Sequence, residues 1–179
     1  MNDLIPISPL LSPESPPGLV LLIAPHDGAE VVLQIIARTV LEHPVNVLDN
    51  SLRFNVHRVA HLVRLQTARV YEALHRIQLV RVFNACQLVD GLHSFAQDTF
   101  PILVFGALAL FETDLLTVRR ERMMLNEYLS TLHLYSQERT MILSVKPASR
   151  LQTAPWNRLL QSATHIYDCL LYTSPSPRD

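Results

Sequence analysis

Short apolar segments alternate with longer segments of helical periodicity along most of this chain. In the longer segments, apolar residues recur three or four positions apart, which is the spacing of one buried helix face. Because strands that alternate with helices pair in parallel between two helical layers, we predict a three-layer α/β/α fold with a mostly parallel sheet of about five strands. The predicted strands span residues 19–24, 45–48, 77–83, 101–105 and 141–145, and a further strand begins near residue 165.

The segments between these strands predict the helices. Asp27 is expected to cap the first helix, and His43-Pro44 is expected to end it. The fourth strand leads into a long helix whose apolar face is predicted to contain Phe111, Leu115, Val118, Leu125, Leu129 and Leu132. The other predicted helices span residues 29–42, 56–64, 68–76, 86–96 and 156–163.

The composition restricts the class of protein. Hydrophobic residues make up 49% of the chain and charged residues 17%, which excludes intrinsic disorder over most of it. The apolar run at 18–24 is too short to span a bilayer, and no Lys or Arg precedes it as in a signal peptide. Two cysteines, Cys86 and Cys169, form neither a disulfide framework nor a metal-finger pattern. We therefore predict a cytoplasmic protein without a membrane partner.

Three segments of different character divide the chain. Residues 1–17 contain five prolines, which predicts a poorly ordered leader before a core domain at 18–168. Residues 169–179 read C-L-L-Y-T-S-P-S-P-R-D, which is identical to one reading frame of a transposase adapter used in sequencing libraries. We therefore expect that the natural chain continued past Asp168 and that the core lacks its C-terminal strands. An uncovered sheet edge of that kind predicts self-association.

The turn after the first strand is the place where such a fold binds phosphate, because backbone N–H groups and the helix dipole converge there. A phosphate loop of the form G-x-x-x-x-G-K-[ST] supplies glycines for close approach, a lysine charge and a hydroxyl for Mg²⁺. In this chain alanines occupy the glycine positions, Glu30 the lysine position and Val31 the hydroxyl position. The degenerate nucleotide-loop positions are Ala24, Asp27, Gly28, Ala29, Glu30 and Val31.

Three other stretches carry a resemblance to a known family. The third strand ends in R-V-F-N-A-C-Q at 81–87, and the fourth strand continues as V-F-G-A-L-A-L-F at 104–111, with Asp114 beyond it. The second strand ends in V-L-D at 47–49 and is followed by R-F at 53–54. In the same order, these stretches resemble the R-A-F-[NT]-x-x-Q, V-D-S-x-T-A-L-F-x-x-D and second-strand motifs of RecA-type recombinases of the RadA kind. The resemblance covers the predicted core domain and implies RecA-like P-loop NTPase topology and DNA-dependent ATPase ancestry.

Most functional residues of that family are replaced here. In addition to Glu30 and Val31, two further positions differ from the family pattern. Phe105 occupies the position of the aspartate that closes the fourth strand, and Ser51 occupies the position of the acidic residue that activates water. Only Asp49 keeps its residue type. A carboxylate within about 4 Å of a phosphate costs roughly 4 kcal/mol per charge pair at an effective dielectric of 20.

These replacements predict a degenerate RecA-like domain that has lost ATP hydrolysis. We predict that it has no catalytic residue, cofactor or metal, and that it acts as a binding or regulatory protein linked to DNA repair or recombination. One alternative is an active RecA-type ATPase with an unrecognised site for ATP and Mg²⁺. Another is a structural or interaction module, or the product of a pseudogene.

Arginines are the one uneven feature of the charge distribution. Between residues 51 and 81, six arginines accompany a single acidic residue, Glu72. Related recombinases place a DNA-contacting loop after the fourth strand, where this chain has Arg119, Arg120 and Arg122. Two interpretations remain: weak binding to the phosphate backbone without base readout, or solvated arginines on helix surfaces.

Other chemically active residues have simpler interpretations. His57 and His61 lie four apart on a predicted helix but have no third metal ligand on that face, so we expect a solvated face. Cys86 has no activating neighbour in the sequence, which predicts a buried thiol. His26-Asp27 fits a turn and a helix cap, and Met123-Met124 fits core or edge packing on the long helix.

Overall fold

The structure, a computed structural model, describes residues 16–111, 119–147 and 154–169. Its centre is a six-stranded sheet in the order β3-β2-β4-β5-β1-β6, with every described pair of neighbours parallel. The strands are β1 (Gly18–Ile23), β2 (Val45–Asp49), β3 (Ile77–Arg81), β4 (Ile102–Phe105), β5 (Thr140–Val145) and β6 (His165–Asp168). The predicted α/β fold with a parallel sheet is therefore confirmed, and the strand that begins near residue 165 is its sixth member.

Helices cover both faces of the sheet. They are α1 (Ala29–Thr39), α2 (Val56–Arg64), α3 (Val70–Leu74), α4 (Ala85–His93), α5 (Arg119–Ser136) and α6 (Ala154–Ser162). Residues of α1, α2 and α3 share one core cluster with Val20 and Leu22, whereas α4, α5 and α6 share the other with Leu19 and Leu21. Alternate residues of β1 thus face opposite layers, as the two-residue period of a strand requires.

The distribution of the helices creates two crevices at the carboxyl edge of the sheet. The helices that follow β1 and β2 lie on one face, whereas those that follow β3, β4 and β5 lie on the other. The chain therefore leaves neighbouring strands β2 and β4 toward opposite faces, and it does the same at β1 and β5. In open α/β sheets, ligands bind at such switch points.

Three local predictions differ from the structure. Helix α1 ends at Thr39 rather than at residue 42, because the N–H groups of Leu41 and Glu42 donate to carbonyls three residues back, as in tight turns. Gly28, not Asp27, occupies the N-cap of α1, and no side chain caps it. Phe111 lies in a 3₁₀ turn, Ala109–Phe111, rather than in an α-helix.

Several predictions fall on residues that the structure does not describe. They concern the leader before residue 16, the tail after Cys169, and Asp114, Leu115 and Val118. Cys169 itself is half-buried and packs against the core on the side of α1. Among the described helices, none combines the length and the apolar character needed to cross a membrane.

Candidate functional site

The loop after β1 is closed by its own backbone. Pro25–Gly28 form a 3₁₀ turn, and the Ala29 N–H at the end of this turn donates to the His26 carbonyl. A Cβ on Gly28 would lie 3.1 Å from both the Ala24 Cβ and Leu22 Cδ2, and the φ angle of +54° at this position also favours glycine. One of the N–H groups that a phosphate loop would offer is thus already bonded within the chain.

Glu30, at the position where the RecA-like pattern has lysine, is paired with an arginine. It lies in the first turn of α1, and Arg58 of α2 donates from Nε to its two carboxylate oxygens at 3.1 and 3.2 Å. Arg58 Nη2 also donates to Oε1, and Gln34 Nε2 donates to the same oxygen at 3.1 Å. The hydrogen bond from Arg58 is the main reason that the pKa of Glu30 lies below its ordinary value. A cation–anion pair therefore connects α1 to α2.

Asp49 is a structural residue at the end of β2. Its side chain is fully buried, and its carboxylate accepts the backbone N–H groups of Arg53 at 3.0 Å and Phe54 at 3.2 Å. Arg81, at the end of β3, donates from Nε to the same carboxylate at 3.2 Å. These three donors fix the loop between β2 and α2. The Asp49 carboxylate therefore has a structural role in positioning the backbone of this loop.

The end of β4 carries an aromatic ring. Phe105 is fully buried and meets Phe54 edge to face, with ring centroids 6.3 Å apart. Gly106 follows with φ +64°, and a Cβ there would lie 2.8 Å from the Ser51 Cβ. The Ser51 hydroxyl and both amide atoms of the buried Asn50 have no hydrogen-bond partner in the structure. Among the described residues, the crevice between β2 and β4 thus offers neutral polar atoms, and the Asp49 carboxylate at the end of β2 already accepts three hydrogen bonds.

A groove of about 1000 Å³ lies between the first turn of α1 and the loop that leads into α2. Glu30 and Arg58 line it together with Arg53 and Arg81. In the described chain, only two residues other than glycine have positive φ angles: His26 at +53° and Leu52 at +58°. Both line this groove. Strained backbone of this kind is concentrated at ligand-binding sites, which makes the groove the leading candidate site.

The arginines after the fourth strand lie on the other face of the sheet. Arg119, Arg120 and Arg122 are exposed in the first turns of α5, which packs with α4 and α6. Arg120 Nη2 lies 3.6 Å from the sulfur of Cys86, at the start of α4. Cys86 is half-buried rather than enclosed in the core. The structure thus places these arginines together but away from the groove.

Four of the six arginines between residues 51 and 81 contact acceptors within the chain. Arg76 donates to the carbonyl oxygens of Val40 and Leu41, which follow α1. Arg69 lies 4.0 Å from Glu72. The other two, whose partners are given above, are Arg58 and Arg81. The stretch therefore presents no continuous row of unpaired guanidinium groups in the part of the chain that the structure describes.

The remaining predicted candidates do not converge. His57 and His61 are both exposed on α2, and the described residues contain no group of three metal-ligating side chains. Met123 is exposed on α5, so it does not contribute to the core, whereas Met124 packs against it. Sequence reasoning did not identify the partner of Glu30, because no local pattern connects it to Arg58.

No protein-family model matches this sequence, and no curated protein matches it. The fold class therefore rests on the structure itself. The likeness to RecA-type recombinases rests on the motif residues described above.

Proposed function

We propose that this chain is a RecA-like domain that has lost nucleotide hydrolysis and acts as a binding or regulatory protein in DNA repair or recombination. The observation that carries the loss of hydrolysis is the ion pair between Glu30 and Arg58. The DNA context comes from the order and spacing of the motifs at 47–54, 81–87 and 104–111. Because Cys86 is a free thiol, we also propose the cytoplasm as its location.

Electrostatics at the loop after β1 support this proposal. A triphosphate in that loop would approach the Glu30 carboxylate, and like charges about 4 Å apart repel by roughly 4 kcal/mol at an effective dielectric of 20. Arg58 offsets the charge of Glu30 only while the two remain paired. A lysine at this position would attract the phosphates directly, whereas the pair offers them no unpaired cation.

Metal chemistry gives a second line of support. Mg²⁺ requires oxygen ligands in a nearly octahedral arrangement. Phe105 presents a buried ring where the family has a carboxylate. The carboxylate oxygens of Asp49 already accept hydrogen bonds from Arg53, Phe54 and Arg81. Even a nucleotide bound in the groove would lack a metal positioned for phosphoryl transfer.

Isothermal titration calorimetry with ATP and Mg²⁺ tests the proposal. We expect no saturable heat up to about 1 mM ATP and no phosphate release above background. The double variant Glu30→Lys/Val31→Thr restores the loop residues alone, and it should still fail to hydrolyse ATP because Phe105 and Ser51 remain. Saturable binding by the unmodified protein, with turnover, would instead establish the active ATPase.

A further inference from the structure

We infer that the groove between α1 and α2 binds an acidic peptide segment of a partner protein through Arg53 and Arg58. This inference rests on the proposed binding role and specifies the chemistry of the partner. In the absence of that partner, Glu30 occupies Arg58 and acts as an internal competitor.

The shape and lining of the groove fit a short peptide. At about 1000 Å³ it is at the upper end of the range for small-ligand pockets. Leu52 and Val56 line it and expose 59% and 48% of their surfaces, while the buried ring of Phe54 lies between them in the sequence. Apolar side chains beside charged groups suit a peptide that alternates apolar and acidic residues.

The charge of the groove favours an anion. Among the side chains that the structure describes, its lining contains three arginines and one carboxylate, that of Glu30. Arg81 is held by Asp49, which leaves Arg53 and Arg58 to act on a ligand. The side chain of Arg53 is exposed, and its guanidinium has no hydrogen-bond or ion-pair partner among the described residues. The groove thus has an excess of positive charge at its mouth.

The pair between Glu30 and Arg58 illustrates how a carboxylate would bind in the groove. Arg58 donates from Nε and Nη2 to the carboxylate of Glu30, which is the fork geometry that arginine forms with carboxylates. Both side chains are about half exposed, so an incoming carboxylate can reach Arg58 from solvent. A partner's glutamate or aspartate would make the same contacts and release Glu30 to water.

Nucleic acid fits this groove less well than an acidic peptide does. A phosphate backbone brings a closely spaced row of charges and requires several unpaired cations along its path. The described groove offers Arg53 as its only unpaired arginine, too few for a row of phosphates. The apolar surfaces of Leu52 and Val56 would also gain nothing from phosphates.

Fluorescence polarisation with the full chain tests the inference. The probe is a short fluorescein-labelled peptide of alternating Glu and Leu, and its control is the same peptide with Gln in place of Glu. We expect saturable binding of the acidic peptide and at least about tenfold weaker binding of the Gln peptide, the factor typical of a lost charge-assisted hydrogen bond. Arg53→Ala should weaken binding about tenfold.

The variant Glu30→Gln provides the sharpest result. Since it removes the internal competitor, we expect it to bind the acidic peptide several-fold more tightly than the unmodified protein does. Arg64→Ala is the matched control, because Arg64 is exposed on α2 but does not line the groove. It should leave affinity unchanged. Comparison of the two peptides on the unmodified protein remains decisive if a variant fails to fold.

Several results would overturn the inference. They are equal affinity for the two peptides, no saturation by about 1 mM peptide, or weaker binding by Glu30→Gln. If a labelled thymidine oligonucleotide bound more tightly than the acidic peptide, and Arg53→Ala abolished this binding, the groove would be a phosphate site instead. None of these results depends on ATP, so a failure here is distinct from the calorimetric failure of the proposed function.

Discussion

Arg81 Nε lies 3.2 Å from Asp49 Oδ2, and this pair joins the carboxyl ends of β3 and β2. The same carboxylate accepts two backbone N–H groups of the loop that leads into α2. One buried side chain thereby determines the position of the loop that forms a wall of the groove.

Removal of this carboxylate should destabilise the fold. Asp49→Ala leaves two backbone donors and the Arg81 guanidinium without their acceptor, so we expect a loss of about 2–4 kcal/mol in the free energy of unfolding. Urea denaturation measures it. The control, Asp90→Ala on the exposed face of α4, should cost less than about 0.5 kcal/mol. Equal losses in the two variants would contradict the structural role of Asp49.

The titration of Glu30 should respond to its partner. The pKa of Glu30 is lowered from 4.5 chiefly by the hydrogen bond from Arg58, so Arg58→Ala should raise it toward that value. Because the folded pKa lies below the unfolded one, the pair stabilises the protein above pH 4.5 and loses this effect as the pH falls through the lowered pKa. Carboxyl ¹³C NMR measures the shift. A pKa that is unchanged in the variant would show that the pair does not form in solution.

DNA binding should depend on the arginines at the start of α5. If they contact phosphates, affinity for DNA should fall steeply with salt and show little sequence preference. Reversal of Arg119, Arg120 and Arg122 to Glu should then reduce both the affinity and the salt dependence, whereas Arg64→Glu should change neither strongly. Filter binding across a salt series measures this. Absence of binding at about 50 mM salt, or affinity independent of salt, would favour a protein-interaction module.

Truncation after Cys169 should leave the fold intact. If the tail makes no core contacts, its removal should shift the melting temperature by less than about 2 °C, equivalent to under about 0.5 kcal/mol. Cys169 is retained because it packs against the core on the side of α1. Differential scanning calorimetry compares the two chains, and unfolding of the truncated one would mean that the segment belongs to the domain rather than to an adapter.

The sheet could be predicted because strands that are buried on both faces have apolar residues at nearly every position. Residues 101–105 are apolar at every position, and β4 is buried throughout. Helix α2 has the predicted bounds because its apolar residues are spaced for one face and Asn55 caps its start. The 3₁₀ turn at Phe111 could not be predicted, because apolar spacing alone does not distinguish such a turn from an α-helix.

The groove could not be predicted, because its contacts join distant parts of the chain. Glu30 and Arg58 meet only after α1 and α2 pack side by side on the sheet, and neither residue lies in a motif that suggests the other. The positive φ angle of Leu52 also has no signal in the sequence, since leucine does not favour that conformation.

The position of β1 constrains how the domain can be synthesised. Gly18 pairs with Thr140 and Val20 with His165, so the first strand made has both of its neighbours among the last. During translation, the apolar residues of β1 remain without a partner strand until most of the chain has left the ribosome. Such non-local pairing slows folding and leaves nascent chains open to aggregation. The yield of folded protein is therefore expected to depend on how long β1 remains unpaired during synthesis.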